Sequence, residues 1–223
     1  MRPLPQPDRI APFTDRDQAA LLLATKLETF RSGDVVVLTT APGVEMGKQV
    51  AAHLGLSARP MPCREIRHPA NRNQSIGSVC LKNVVLHDAC LDIPQEYLQH
   101  TIARLRARIR RDMDAGGNAE TYTGKTLIIV SEWLRTADSI RACLGHIREE
   151  KPARIIVATA VVSPQAILEL RELVDELIYL VEDDEVSLPQ YYFGPGKDER
   201  PRTPARGPAS YQGAPAHPER NYA

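Results

Sequence analysis

Short continuous runs of β-branched and aliphatic residues, separated by stretches of helical periodicity, constrain this chain more than any other feature. Val35-Val36-Val37-Leu38 is such a run, and Thr126 to Val130 is the clearest. A run that is apolar throughout, rather than alternating, reads as a parallel strand buried on both faces. In the second half, strand 126–130 is followed by a helix from about Ala137 to Glu150. Then come a strand Arg154 to Val162, a helix Gln165 to Leu173 and a strand Glu176 to Val181. This βαβαβ order predicts an α/β domain, a parallel sheet with helices on both faces.

The first half reads less regularly. Thr14, followed by Asp15 and Asp17, predicts a helix N-cap with acids in the first turn. That helix runs to about Phe30, with Leu22, Leu23, Leu27 and Phe30 on or near one face. Ser32-Gly33-Asp34 turns into strand 35–38. After the loop TTAPGVEMG, a helix is predicted from Lys48 to Leu54 and a strand from Ala58 to Cys63. A polar stretch, REIRHPANRNQSIGS, separates that strand from another at Asn83 to His87. Pro94 opens a long helix to about Met113. Its Leu98, Ile102, Leu105, Ile109 and Met113 recur at helical spacing, and Gly116-Gly117 ends it.

Composition limits the function classes. The chain has 223 residues, with 28 Lys plus Arg against 28 Asp plus Glu, so bulk charge argues against a strongly basic nucleic-acid binder. No apolar run approaches the ~18 residues that span a membrane, and the first ten residues hold no apolar signal core. A cytoplasmic protein is expected. Cys63, Cys80, Cys90 and Cys143 form no CxxC and match no zinc spacing, so free or buried thiols are expected. Residues 1–12 are a proline-rich arm. Residues 194–223 are rich in Pro and Gly, nearly free of aliphatic residues, and predicted to be a disordered tail able to meet a protein partner.

Two loops fall where open α/β sheets bind ligands, at the carboxyl ends of strands. The first, Thr39 to Lys48, is near a phosphate-cradling P-loop, but Pro42 stands where a glycine is needed and Gln49 where a Ser or Thr should hold magnesium. It reads as a turn or as a loop offering amides to an anion, and less well as a nucleotide hydrolase. The second follows strand 126–130: Ser131-Glu132-Trp133-Leu134-Arg135-Thr136-Ala137-Asp138-Ser139. Free amides at a helix N-terminus suit a phosphate, Thr136 and Ser139 offer hydroxyls, and Glu132 can accept from two sugar hydroxyls. A plain capped helix, with Thr136 as N-cap and Ser139 at the third position, fits the same residues. Elsewhere, the arginines between Arg104 and Arg111 read as a solvated surface or a phosphate-tracking helix. His68 reads as a loop residue or a base. Trp133 either stacks on a ligand or plugs the pocket.

The opening PFTDRDQAALLLATKLETF with DVVVL, the segment CREIRHPANRNQSIGSV and the run Leu127 to Ser139 together resemble the type I phosphoribosyltransferases, in particular a bacterial subgroup. The resemblance covers roughly residues 13–193, and the middle segment is its most specific part. It implies a parallel sheet flanked by helices with a small hood, and displacement of pyrophosphate from phosphoribosyl pyrophosphate with magnesium. On that resemblance, Ser131 and Glu132 stand where two acids hold the ribose hydroxyls, with Glu132 the metal candidate. Thr136, Ala137, Asp138 and Ser139 stand at the 5′-phosphate turn, and Gly43 lies at the pyrophosphate loop. A homodimer is implied as an option.

The chain departs from the family at each of these places. Ser131 replaces an acid, Ala137 a glycine, and Ala41-Pro42-Gly43 a Pro-Arg-Gly-Gly loop. Glu65 replaces a lysine and Arg67 a glycine. The methyl of Ala137 is expected to block backbone approach or a left-handed angle, and Asp138 to repel phosphate if it faces the site. The expectation is a protein that binds a phosphoribosyl compound or nucleotide with doubtful transferase activity, or with Arg64, Arg67 and Arg135 as new anion contacts. The alternative is a non-catalytic regulatory or interaction protein that retains the fold.

Overall fold

The computed structural model describes residues 11–31, 33–41, 43–71, 74–87, 92–115, 121–184 and 191–194. The N-terminal arm to residue 10 and the tail from residue 195 lie outside these, as do Pro42, Cys90 and Gly116-Gly117.

A five-stranded parallel sheet forms the body, in the order β2-β1-β6-β7-β8. Its strands are β1 (Val35–Thr39), β2 (Ala58–Pro60), β6 (Thr126–Leu134), β7 (Arg154–Val162) and β8 (Glu176–Glu182). The central strands β6 and β7 carry the continuous apolar runs because both of their faces are covered. One face packs on α1 (Arg16–Lys26) and α2 (Val44–Leu54), through Leu23, Leu27, Val50, Ile128, Val130 and Ile156. The other packs on α4 (Asp138–Glu149) and α5 (Pro164–Arg171), through Leu127, Ile129, Val157, Ile140, Ile147 and Leu170. Among the described residues no helix is long and apolar enough to cross a membrane.

A second, antiparallel sheet of β3 (Cys63–Arg67), β4 (Ser75–Cys80) and β5 (Val84–Leu86) forms a hood. The long helix α3 (Gln95–Ala115) covers its outer face, where Ile66, Ile76, Val79 and Ile109 meet. Its inner face meets the body where Cys63 and Cys80 join the α4 layer.

Several boundaries differ from those expected. Asp15, not Thr14, caps α1: its carboxylate accepts the Gln18 amide at 2.8 Å. Leu22 is exposed, because the buried face of α1 runs through Ala19, Ala20 and Leu23. Helix α2 starts at Val44 rather than Lys48, with Gly43 as its N-cap. The strand expected at 58–63 is two strands in different sheets, divided at Met61-Pro62. The polar stretch that follows is itself the β3–β4 hairpin. Its polarity hid it, since one end of the hood's inner face carries Glu65 and Arg67 instead of apolar residues.

Candidate functional site

Strands β1 and β6 lie side by side, with Thr39 opposite Val130, so their following segments emerge together at the carboxyl edge. The Thr40 amide donates to the Val130 carbonyl at 3.0 Å, and the Thr40 hydroxyl donates to Ser131 Oγ at 3.0 Å. Ser131 Oγ in turn donates to the Trp133 carbonyl at 3.0 Å. Ser131 is fully buried, so its hydroxyl ties two segments together and does not face a ligand. Gly43 is part of the same joint. A Cβ on it would stand 2.7 Å from Ser131 Cα and 2.9 Å from the Glu132 nitrogen. Only a glycine lets the first loop lie against the backbone of β6.

Residues 131–134 are expected in a loop from the sequence, yet β6 continues through them. The strand keeps its pairing but breaks its alternation. Trp133 packs in the α1/α2 layer, whereas Leu134 packs in the α4/α5 layer. The same break recurs in register on the neighbours. Ala160 and Val161 share the α1/α2 face in β7, and Leu180 and Val181 share it in β8. The pairs Ser131–Thr159 and Thr159–Tyr179 precede the break, and Trp133–Val161 and Val161–Val181 follow it. Thr159 repeats the serine's role, its hydroxyl donating to the Val161 carbonyl at 3.0 Å. An irregularity matched across three strands costs no ladder register, because each strand bends with its neighbour.

Glu132 continues the alternation of Ile128 and Val130 onto the α1 side, and the break falls just after it. Its Oε1 accepts from Arg16 Nε at 2.5 Å, and the Arg16 guanidinium lies 5.2 Å from the centre of the Phe193 ring. Phe193 stacks on Phe13 at 5.6 Å. Burial pushes the Glu132 carboxyl above its ordinary range, and the bond and charge of Arg16 offset part of that rise. The sequence reading missed Arg16, which lies 116 residues away from Glu132 in the chain. It also missed Asp183, a buried acid just past β8 whose Oδ2 accepts from the Tyr192 hydroxyl at 3.2 Å.

The turn after β6 is occupied by the protein's own groups. Ala137 has φ −82° and ψ 0° and is fully buried in the α4 layer. No left-handed angle is needed there, so alanine fits, and its methyl belongs to the core instead of a ligand surface. Its amide points to Glu169 Oε2 at 3.4 Å, a carboxylate that also pairs with Arg141 at 3.1 Å. Thr136 caps no amide. Its hydroxyl donates to Asp138 Oδ2 at 2.6 Å, and the same oxygen lies 2.6 Å from Nε2 of His87, at the end of β5. Ser139 is half-buried in the first turn of α4. Arg135 is exposed, and its carbonyl accepts from the Ser163 hydroxyl at 2.6 Å. Two carboxylates thus already stand at this helix N-terminus.

The remaining candidates are dispersed. Arg64 Nη2 binds Asp112 Oδ2 of α3 at 2.5 Å, and Arg67 binds Glu65 at 2.5 Å on the same strand. Arg64 is therefore a pin between hood and α3, not an anion contact of the carboxyl edge. His68 Nδ1 accepts the amides of Ala70 and Asn71 at 3.1 and 3.2 Å, which makes it a loop cap. The P-loop reading fails on placement. Gly47 and Lys48 lie a full turn inside α2, Gly47 packs against Thr39, and Gln49 binds Asp17 of α1 at 2.5 Å. Magnesium held by the protein alone does not fit these donors. Glu132 is bound to Arg16, and among the described residues no three His, Cys, Asp or Glu side chains converge as a metal site.

No family model matches the chain. Among solved structures it is similar to TT1426 from Thermus thermophilus, with a TM-score of 0.60 and 27% identity over 81% of this chain and 89% of that one. A purine phosphoribosyltransferase from Pyrococcus horikoshii aligns with a TM-score of 0.46 and 12% identity, over 76% of this chain and 83% of that one. A hypoxanthine phosphoribosyltransferase from Staphylococcus aureus aligns at 0.44 and 11%, over 76% and 74%. The fold is similar to that of TT1426 over most of both chains. The parallel sheet, flanking helices and hood expected from the sequence are all present.

Proposed function

We propose that this chain is a phosphoribosyltransferase-like protein that recognises a phosphoribosyl compound or nucleotide at the carboxyl edge of β1 and β6. The observation that carries this reading is Glu132, a buried carboxylate fixed at the end of β6 beside a loop held in backbone contact through Gly43. A carboxylate so placed can accept from two adjacent sugar hydroxyls once Arg16 turns aside. Arg16 is 42% exposed in its side chain, so it has solvent to turn into.

Transferase activity is disfavoured by the phosphate turn. Thr136 gives its hydroxyl to Asp138, and the Ala137 amide faces Glu169. A helix N-terminus contributes about 0.3–2 kcal/mol to an anion. A unit charge pair at ~4 Å and an effective dielectric of ~20 repels by about 4 kcal/mol. The Asp138–His87 contact reduces that repulsion when the imidazole is protonated. These same contacts favour the second reading, a non-catalytic protein that retains the fold for regulation or interaction.

Isothermal titration with phosphoribosyl pyrophosphate, with and without magnesium, tests the proposal. Ribose 5-phosphate, nucleoside monophosphates and ATP serve as comparison ligands. Micromolar binding that is lost in Glu132→Ala supports the ribose role. No binding up to millimolar concentration of any of these ligands overturns it in favour of the second reading.

A further inference from the structure

The hood carries a group of thiols that the carboxyl-edge site does not use. Cys63 on β3 and Cys80 on β4 are direct antiparallel partners. Their amides go elsewhere: Cys63 donates to Met61 and Cys80 to Asn83, at 2.7 and 2.8 Å. They therefore form a non-hydrogen-bonded pair, the kind in which Cα atoms are about 4.5 Å apart and side chains approach most closely. A disulfide tolerates Cα separations of about 4.4–6.8 Å. Cys143 of α4 completes the group, packed in the same buried cluster from the body side. All three are free and buried.

We propose that Cys63 and Cys80 are a thiol oxidation site, forming a reversible disulfide when the folded protein meets hydrogen peroxide, with Cys143 as the donor that activates Cys80. The cross-strand pairing supplies the kind of Cα separation a disulfide spans, and Cys143 packs with both residues in the same buried cluster. The environment of Cys80 agrees with this role. Its pKa is lowered to about 7, first by the Cys143 hydrogen bond and then, against the opposing effect of burial, by the Leu81 and Lys82 amides and the charge of Arg106. Burial, together with its two thiol neighbours, drives Cys143 the other way, so it stays protonated and donates.

The chemistry balances. The Cys80 thiolate attacks one peroxide oxygen, the O–O bond breaks, Cys80 becomes a sulfenic acid, and the departing hydroxide takes up the proton that Cys80 had released, giving the first water. The Cys63 sulfur attacks the Cys80 sulfur, forms the S–S bond and expels the oxygen as water. Two thiols lose two electrons, and one peroxide becomes two waters.

The test treats the full chain with hydrogen peroxide at neutral pH, blocks remaining thiols with an alkylating reagent, and maps the peptides by mass spectrometry. The expected product is a Cys63–Cys80 linked peptide that a dithiol reductant reverses, with Cys143 alkylated as a free thiol. In Cys63→Ala the linked peptide is lost, and Cys80 sulfenic acid accumulates for capture by a dimedone probe. Cys143→Ala slows oxidation by up to about fivefold: raising the Cys80 pKa lowers the thiolate fraction, and higher intrinsic nucleophilicity partly compensates. Circular dichroism on each variant confirms that it is folded. All three thiols remaining free, a linkage to Cys90, or a rate unchanged in Cys143→Ala overturns the proposal.

Discussion

Gly43→Ala is the most direct probe of the joint that fixes Glu132. The backbone at Gly43 has φ −103° and ψ 16°, which alanine adopts without strain. The added methyl, however, would stand 2.7 Å from Ser131 Cα, 2.9 Å from the Glu132 nitrogen and 3.0 Å from the Ser131 carbonyl carbon. Comfortable contact for heavy atoms is about 3.5–4.0 Å, so loop and strand must part by roughly 1 Å. None of the three atoms can rotate away, because all belong to backbone. Overpacking of this kind costs about 1–3 kcal/mol, and the stiffer unfolded chain returns about 0.4–1 kcal/mol. The expected net loss is about 1–2 kcal/mol, read as a lower urea midpoint with an unchanged slope.

Gly145→Ala is the matched comparison. Its Cβ would come within 2.0 Å of Asn83 Nδ2, a closer approach on paper, but this is the end of a side chain. Asn83 can swing aside, and alanine inside α4 gains helix propensity of about 1 kcal/mol. Gly145→Ala is therefore expected to be neutral or stabilising. A Gly43→Ala protein as stable as wild type, or a larger loss in Gly145→Ala, refutes the argument that the loop is held by backbone contact.

Two further outcomes follow from the charges. Burial raises the Glu132 pKa, so folding favours its protonated form: that contribution is complete below the unfolded-chain pKa and is lost as pH rises through the folded one. Urea unfolding between about pH 4 and pH 7 should show Glu132→Gln gaining on wild type as pH rises, and a constant difference would contradict the sign. The double variant Asp138→Asn with Glu169→Gln removes both carboxylates from the N-terminus of α4. It should bind ribose 5-phosphate at least about tenfold more tightly than wild type by titration, a cautious fraction of the ~4 kcal/mol repulsion per charge pair. Equal affinity would show that the turn is not closed by charge.

The strands of the body are legible in the sequence because their environment is uniform: a strand covered on both faces reads as a continuous apolar run, as β6 does from Leu127 to Val130 and β7 from Ile155 to Ala158. The hood hairpin is not, because β3 carries Arg64, Glu65 and Arg67, whose charges are met by Asp112 and by each other. The candidate residues from Ser131 to Ser139 stand together in the sequence, but their directions are not accessible from it. Ser131 and Ala137 turn into the interior, Thr136 and Asp138 bind one another, and Glu132 turns to Arg16 of α1.

The sequence by itself determined the layer architecture, since hydrophobic period and run length follow from which faces each element buries. It also determined which positions depart from the resembled family. Tertiary structure alone decided what those departures do. The Arg16–Glu132, His87–Asp138 and Ala137–Glu169 contacts and the Cys63, Cys80 and Cys143 cluster join residues distant in the chain. Each depends on side-chain direction at the end of a strand or helix. Where three strands break their alternation together, a one-residue change in that break sends a side chain to the opposite face. No local pattern in the sequence records the break, because what stabilises it lies on the neighbouring strands.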